Sequence, residues 1–473
     1  MQERADIFKL EPVSVNPSFV KGEEIFYFLD KDSSSVIAGT LKVDIKGFFL
    51  YWAADKIGGL APCSDKILDI TIIRDTRTGL NAKTPKDRRL RDRANFGSSH
   101  SLEDETVTIC YGTDLVKVRF LSFICSSKDV AKIWYDELLK VAYNLRALHG
   151  SVETFLKKAY TRLLLKSVES EQVLQVSYLE KLFGSHEEHS SKLKDALNVC
   201  RVKVSKQHIQ KFTKPQRCIK IKRFTREKFI QVYRQLTQRD PLLDEMLDPF
   251  ANTLKDSKIL NQKEPSTTDD ESPTCGLASH KRLFRYLISE KCLPVKLDKL
   301  DLCDMTKPLA HYFINSSHNT YLTGDQWKSK SSSEMYRQAL LSGCRCIELD
   351  FWDGNFINKN KPIVKHGVTF VKKILARDAI DAVAESAFKT SEYPLILSFE
   401  NHCSKSNQAK IAEYCRESFG EMLLDGAIDD YPLEPNHPLP PPSLLKRKIM
   451  IKNKKGTAGE ETEAGAGISP LVN

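Results

Sequence analysis

The sequence predicts a multidomain protein, α+β at its start and α/β at its end, with a helical region between. Three observations carry this. Short strand-like runs fill residues 20–125 and lead into one long amphipathic helix. Residues 150–260 show helical periodicity. From 308 to 455, strand candidates alternate with helical ones, as in parallel β/α units.

In the first region the strand candidates are EIFYFLD, VIAGTLKVDIKGFFLYW, ILDITIIRD, VTICYG and LVKVRFLSFIC. The helix is KDVAKIWYDELLKVAYNLRAL, with Val130, Ile133, Trp134, Leu138, Val141 and Leu145 on one face. Several antiparallel strands followed by such a helix suggest a small barrel plugged by that helix. DKDSSSVIAGT (30–40) reads as a turn, since it lacks the Gly and closing Glu of a calcium loop. GLNAKTPKDRRLRDRANFGSSHSLEDE reads as a mobile loop.

The middle region offers VETFLKKAYTRLLLKSV, FTREKFIQVYRQL and PLLDEMLDPFANTL as helices. Residues 261–276, rich in Pro, Ser and Thr, read as a linker, and KRLFRYLIS as a helix after it. In the last region the strands are HYFINSS, CRCIELDFW, PIVKH, PLILSFE and KIMIKN. The helices are SSEMYRQALLSG, FVKKILARDAIDAVAESAF and NQAKIAEYCRESFG.

Composition narrows the function. The chain has 473 residues, 41% hydrophobic and 28% charged, ordinary for a globular protein. No apolar run approaches the roughly 18 residues of a membrane helix, and the start lacks a signal-peptide core. A cytoplasmic chain with peripheral membrane contact is expected. Its 12 cysteines read as free thiols, and the pair Cys344/Cys346 lacks the second pair of a zinc clip. The net charge of +10 gathers in residues 83–93, 211–228 and 446–455. Such runs favour anionic partners. They lack interleaved aromatics or a known motif, so no nucleic-acid partner is expected.

The chemistry gathers at the C-terminal ends of the last strands. HYFINSS runs into His318 and Asn319, CRCIELDFW delivers Glu348 and Asp350, and PIVK runs into His366. PLILSF runs into Glu400, and KIMI into Lys452 and Lys454. Strand side chains alternate, so Glu348 and Asp350 share one face while Ile347, Leu349 and Phe351 share the other. Each residue alone has a plainer role. His318 could be a satisfied core histidine, the two acids could pair with Arg345 or a lysine, and the lysines could cap an exposed strand. Five strand ends polar in series point instead to one site at the C-terminal rim of a β/α barrel. Asn319, Glu348, Asp350 and Glu400 are hard oxygen ligands suited to calcium or magnesium. Two histidines suit acid/base work and two lysines suit phosphates. Together they describe metal-assisted phosphoryl transfer.

HYFINSSHNTYLTGDQ, SGCRCIELDFWDG, YPLILSFENHCS and KRKIMIKNKK resemble the X half of the catalytic barrel of phosphoinositide-specific phospholipase C. The segment around IKGFFLYW resembles that family's pleckstrin-homology domain, and the middle through QRDPLLDEML its EF-hand-like lobes. SFENHCSK and LKRKIMIKNK resemble the β subfamily, regulated by heterotrimeric G proteins. The resemblance implies a pleckstrin-homology-like barrel at 1–149, a shortened EF-hand-like region at 150–292 and the first half of a TIM-type barrel at 300–455. Residues 456–473 would be a linker and the start of a second, Y half.

It also implies calcium-dependent hydrolysis of phosphatidylinositol 4,5-bisphosphate to diacylglycerol and inositol trisphosphate, at the inner face of the plasma membrane. By resemblance, His318 steadies the phosphorane, His366 is the general acid, and Asn319, Glu348, Asp350 and Glu400 hold Ca2+. Glu348 or Glu400 takes the hydroxyl proton, and Lys452 and Lys454 hold the ring phosphates. G-protein subunits of the q class are implied partners. Without a Y half, a truncated splice form or fragment with little activity of its own is expected. The alternative is a non-catalytic module that binds membrane or a partner.

Overall fold

The computed structural model describes residues 10–29, 32–54, 67–94, 101–148, 150–166, 172–184, 187–209, 214–237, 304–356, 360–367 and 371–454. Three units follow one another, each with its own apolar cluster.

The first unit opens with α1 (Pro17–Lys21), capped by the Asn16 side chain, which accepts from Ser18 N. It then builds a seven-stranded antiparallel sheet from β1 (Glu23–Leu29), β2 (Asp32–Val43), β3 (Phe49–Ala54), β4 (Ile67–Asp69), β5 (Ile73–Arg77), β6 (Thr106–Tyr111) and β7 (Arg119–Ile124). The strand order is β4-β3-β2-β1-β7-β6-β5. Two short helices, α2 (Arg88–Ala94) and α3 (Leu102–Glu105), precede β6, and α4 (Lys128–Leu148) closes the unit. Ala131, Trp134, Leu138, Val141 and Leu145 of α4 pack with Ile25, Leu41, Leu50, Ile73 and Ile109. Phe19 stacks on Trp134 at 3.7 Å between ring centroids. The expected plugging helix is therefore present.

Three local expectations fail here. Ile133 lies off the buried face and is 44% exposed. The run DKDSSSVIAGT is mostly β2, because pairing with β1 down to Leu29↔Asp32 outweighs the weak strand propensity of Ser and Asp. The segment read as a mobile loop carries α2 and α3, the latter started by Ser101, whose hydroxyl accepts from Asp104 N.

The second unit contains α5 (Val152–Leu165), β8 (Val173–Gln175), α6 (Val176–Phe183), α7 (Glu187–Val199), β9 (Val204–Gln207), β10 (Gln216–Lys220) and α8 (Arg226–Leu236). The helices expected at VETFLKKAYTRLLLKSV and FTREKFIQVYRQL form, but so does an unexpected three-stranded antiparallel sheet, β8-β10-β9. Strands of three to five residues are too short to show a period of two. PLLDEMLDPFANTL, the linker at 261–276 and KRLFRYLIS lie outside the described residues.

The third unit holds α9 (Ser333–Leu341), β11 (Cys346–Trp352), β12 (Ile363–Val364), β13 (Ile374–Leu375), α10 (Ala376–Ser386), β14 (Leu395–His402), α11 (Lys405–Phe419) and β15 (Ile449–Lys452). The sheet is open, in the order β13-β12-β11-β14-β15. β11, β14 and β15 run parallel, as the alternation predicts. β12 and β13 instead form an antiparallel flap against β11. HYFINSS is not a strand; it makes a single parallel bridge, Ser316↔Cys346. The helix expected from Phe370 begins only at Ala376, because Ile374 and Leu375 pair with β12. Gly343, at φ +104, turns the chain out of α9 towards β11.

The first and third units meet through buried charges. The Asp75 carboxylate, fully buried, accepts from Arg77 Nε at 2.8 Å and from Lys389 Nζ at 3.2 Å. Arg77 Nη2 donates to Glu334 Oε1 at 2.7 Å, and Gln338 Nε2 donates to the same oxygen at 2.9 Å. Burial pushes the Asp75 carboxyl up, but Lys389 and Arg77 outweigh it and hold it below its usual range.

Candidate metal and active site

The parallel pairing of β11 with β14 answers why a buried strand carries two carboxylates. Ile347, Leu349 and Phe351 are fully buried in the apolar cluster. The intervening Glu348 and Asp350 point to the opposite face. Register sets Glu348 beside Ser398 and Asp350 beside Glu400. One carboxylate oxygen from each of Glu348, Asp350 and Glu400 lies within 4.8 Å of the other two.

Asp350 is 4% exposed. The buried Tyr321 hydroxyl donates to its Oδ2 at 2.6 Å, while Oδ1 is buried with no hydrogen-bond partner. Burial pushes its carboxyl up to about 6; Glu348 and Glu400 add to this, and the Tyr321 bond opposes it. Glu348 Oε2 accepts from the main-chain N–H of Asn319 at 2.8 Å. Asn319 sits at φ +45, a left-handed conformation that Asn tolerates better than most residues. Its Nδ2 donates to Gln326 Oε1 at 2.7 Å, and its Oδ1 lies 3.0 Å from the Tyr321 hydroxyl. The strand itself is pinned there: Glu348 N donates to Thr320 Oγ1, and the Tyr336 hydroxyl donates to the Glu348 carbonyl.

The plainer reading, that Arg345 neutralises these acids, does not hold. Arg345 donates instead to the carbonyls of Cys344, Ala387 and Tyr393. Burial lowers its guanidinium to about 10.

His318 stands over the cluster, with Nε2 3.8 Å from Glu348 Oε2 and its side chain 78% exposed, so it is no core histidine. His366 joins through Gln326: its Nδ1 lies 2.8 Å from the Gln326 carbonyl oxygen. Glu400 Oε1 lies 2.8 Å from His402 Nε2, and His402 stacks on Trp352. Lys452 pairs in register with Ser398, level with Glu348, and Lys454 follows two residues on; both are exposed. Contacts thus bring together Asn319, Glu348, Asp350, Glu400 and His318, and link His366 through Gln326. Register alone places the lysines. Sequence reasoning missed Tyr321 and Gln326. Tyr321 looks like any core aromatic, and Gln326 reaches His366 through its main chain, which carries no sequence signal.

The donor set fits a divalent cation that prefers oxygen. Three carboxylates converge, one amide oxygen borders them, and a buried carboxylate oxygen lacks any partner. Such a charge needs a cation or a proton.

Comparison with known proteins gives this geometry a family. Residues 305–455 match the phosphatidylinositol-specific phospholipase C X domain, and residues 14–149 match a PH domain. The chain is 44% identical over 459 residues to the Drosophila melanogaster 1-phosphatidylinositol 4,5-bisphosphate phosphodiesterase classes I and II, covering 90% of this chain and 33% of that one. The chain belongs to the phosphatidylinositol-specific phospholipase C family. Within it the chain is β-like: it is 38% identical to the Mus musculus beta-1 enzyme over 98% of its length, spanning 39% of that relative. The crystal structure of L. pealei PLC21 superposes with a TM-score of 0.78 at 34% identity, covering 96% of this chain and 60% of that one. The chain thus spans between a third and two fifths of these two curated relatives. The phospholipase C relationship makes the open sheet half of a β/α barrel. No described helix is long and apolar enough to cross a membrane.

Proposed function

We propose that the acidic cluster is the calcium site of a phosphoinositide phospholipase C acting on phosphatidylinositol 4,5-bisphosphate. The carrying observation is the partnerless Asp350 Oδ1, buried between Glu348 and Glu400. Asn319, Glu348, Asp350 and Glu400 would hold the ion. Bound there, calcium supplies charge that lowers the inositol 2-hydroxyl pKa and offsets negative charge on phosphorus.

The chain's own groups do the rest. Glu348 or Glu400 takes the 2-hydroxyl proton as that oxygen bonds to phosphorus. His318, exposed above Glu348, donates a hydrogen bond to the phosphoryl oxygen that gains charge. His366 gives its Nε2 proton to the diacylglycerol oxygen as its bond to phosphorus breaks. Its Nδ1 faces a carbonyl, which can only accept, so Nδ1 keeps its hydrogen and the ring stays oriented. Lys452 and Lys454 hold the ring phosphates. Water then opens the cyclic phosphate, with His366 now taking the proton and the carboxylate returning it. The products are diacylglycerol and inositol trisphosphate. Trp327, 68% exposed beside Gln326, suits contact with a lipid surface at the inner face of the plasma membrane. The β-like character supports regulation by G-protein subunits of the q class as part of this reading.

The test is hydrolysis of labelled phosphatidylinositol 4,5-bisphosphate in vesicles. The chain is assayed alone and co-expressed with the remaining segment of the Drosophila relative. Calcium-dependent turnover that disappears in His318→Ala is expected. Turnover indifferent to both chelator and that substitution would sink the assignment, and calcium binding without turnover in either arm would favour a binding module.

A further inference from the structure

We propose that Gln326 is a positioning residue that couples the two halves of the site, the cation ligands and the general acid. This rests on the calcium reading above. Gln326 presents two oxygens in two directions. Its side-chain Oε1 accepts from Asn319 Nδ2 at 2.7 Å. Its main-chain carbonyl meets His366 Nδ1 at 2.8 Å.

The first contact settles which way the Asn319 amide faces. An amide has a donor end and an acceptor end, and only the acceptor can hold a cation. With Nδ2 tied to Gln326, Oδ1 is turned to Tyr321 and thus towards Asp350. A rotated amide would aim NH2 at the ion and repel it. The second contact settles the imidazole: a carbonyl accepts only, so Nδ1 carries hydrogen and Nε2 is the nitrogen that exchanges its proton.

The turn that carries Gln326 is built to hold it. Its neck is closed by the antiparallel bridge Leu322↔Ser331 and by Thr323 N donating to the Lys330 carbonyl. At its tip the Asp325 carboxylate accepts from Trp327 N at 2.9 Å and Lys328 N at 2.7 Å. Those two backbone bonds hold the Asp325 carboxyl below its usual range. Gln326 is thus fixed from both sides of the chain, although it is itself exposed.

Calorimetric titration of the full chain with calcium provides one readout, and nitrogen NMR of the His366 ring the other. Gln326→Ala should weaken calcium about 10-fold, as loss of a partner of a ligand does. It should leave the melting temperature and the Nδ1–H tautomer of His366 unchanged, because the carbonyl remains. Gln326→Glu keeps the acceptor and should restore the affinity. Asp325→Ala loosens the turn and should both weaken calcium and erode the His366 tautomer. Wild-type affinity in Gln326→Ala, or an unchanged His366 tautomer in Asp325→Ala, overturns the coupling while leaving the calcium site standing. A wild-type chain that binds no calcium overturns both.

Discussion

Two clusters of acids, each built around a buried aspartate, are treated in opposite ways. At the seam between the first and third units, Asp75 and Glu334 are met by Arg77 and Lys389. At the rim of the sheet, Glu348, Asp350 and Glu400 converge, and among the described residues the ion-pair partners of Glu348 and Glu400 are His318 and His402. The protein's own cations hold the Asp75 carboxyl down, whereas burial and like charges push Asp350 up to about 6. A balanced cluster fastens two domains. An unbalanced one keeps negative charge in reserve for something that arrives from solution.

The sharpest way to break this contrast is at the seam. Asp75→Ala leaves Arg77 and Lys389 buried without their shared acid and should cost about 3–5 kcal/mol of stability, measured by urea unfolding. Calcium affinity should be untouched. Because the folded Asp75 carboxyl is depressed, its stabilisation is present above about pH 4 and is lost as pH falls through the folded value.

The rim should answer in reverse. Asp350→Asn removes a ligand charge and should weaken calcium by about 100-fold or more in calorimetry. Its folded pKa is raised, so this carboxyl destabilises the metal-free fold increasingly from about pH 4 and fully above about pH 6. The same substitution should therefore raise the melting temperature of the metal-free chain at neutral pH. A fall in melting temperature would mean that the rim is balanced after all.

The smallest effect refines the contrast by pH. Protons compete with the cation at Asp350, so calcium affinity should drop by up to about 10-fold per pH unit below about 6. A flat profile would show that Asp350 stays ionised without the metal.

Legibility in the sequence differed by the range of the cause. The α4 helix was readable end to end, because its period of 3.6 is local. The shared face of Glu348 and Asp350 was readable, because strand alternation is local too. Whether Arg345 neutralised them was not, since it depends on carbonyls from Ala387 and Tyr393. The reversed direction of β12 was equally hidden, as a two-residue strand leaves no pattern. Asn319 was readable as an oxygen ligand from its place just after HYFINSS; its left-handed backbone and its tie to Gln326 are products of the folded loop.

The match of Asp350 to Glu400 has a bearing on how such a chain can change. The facing of Asp350 and Glu400 is set by the pairing of β11 with β14 and not by the length of the connection between them. A single residue inserted within β14 ahead of Glu400 would swing that carboxylate into the oily layer beneath the helices. The acidic triad is therefore a matter of phase between two neighbouring strands, and its inheritance depends on parity as much as on which amino acids are kept.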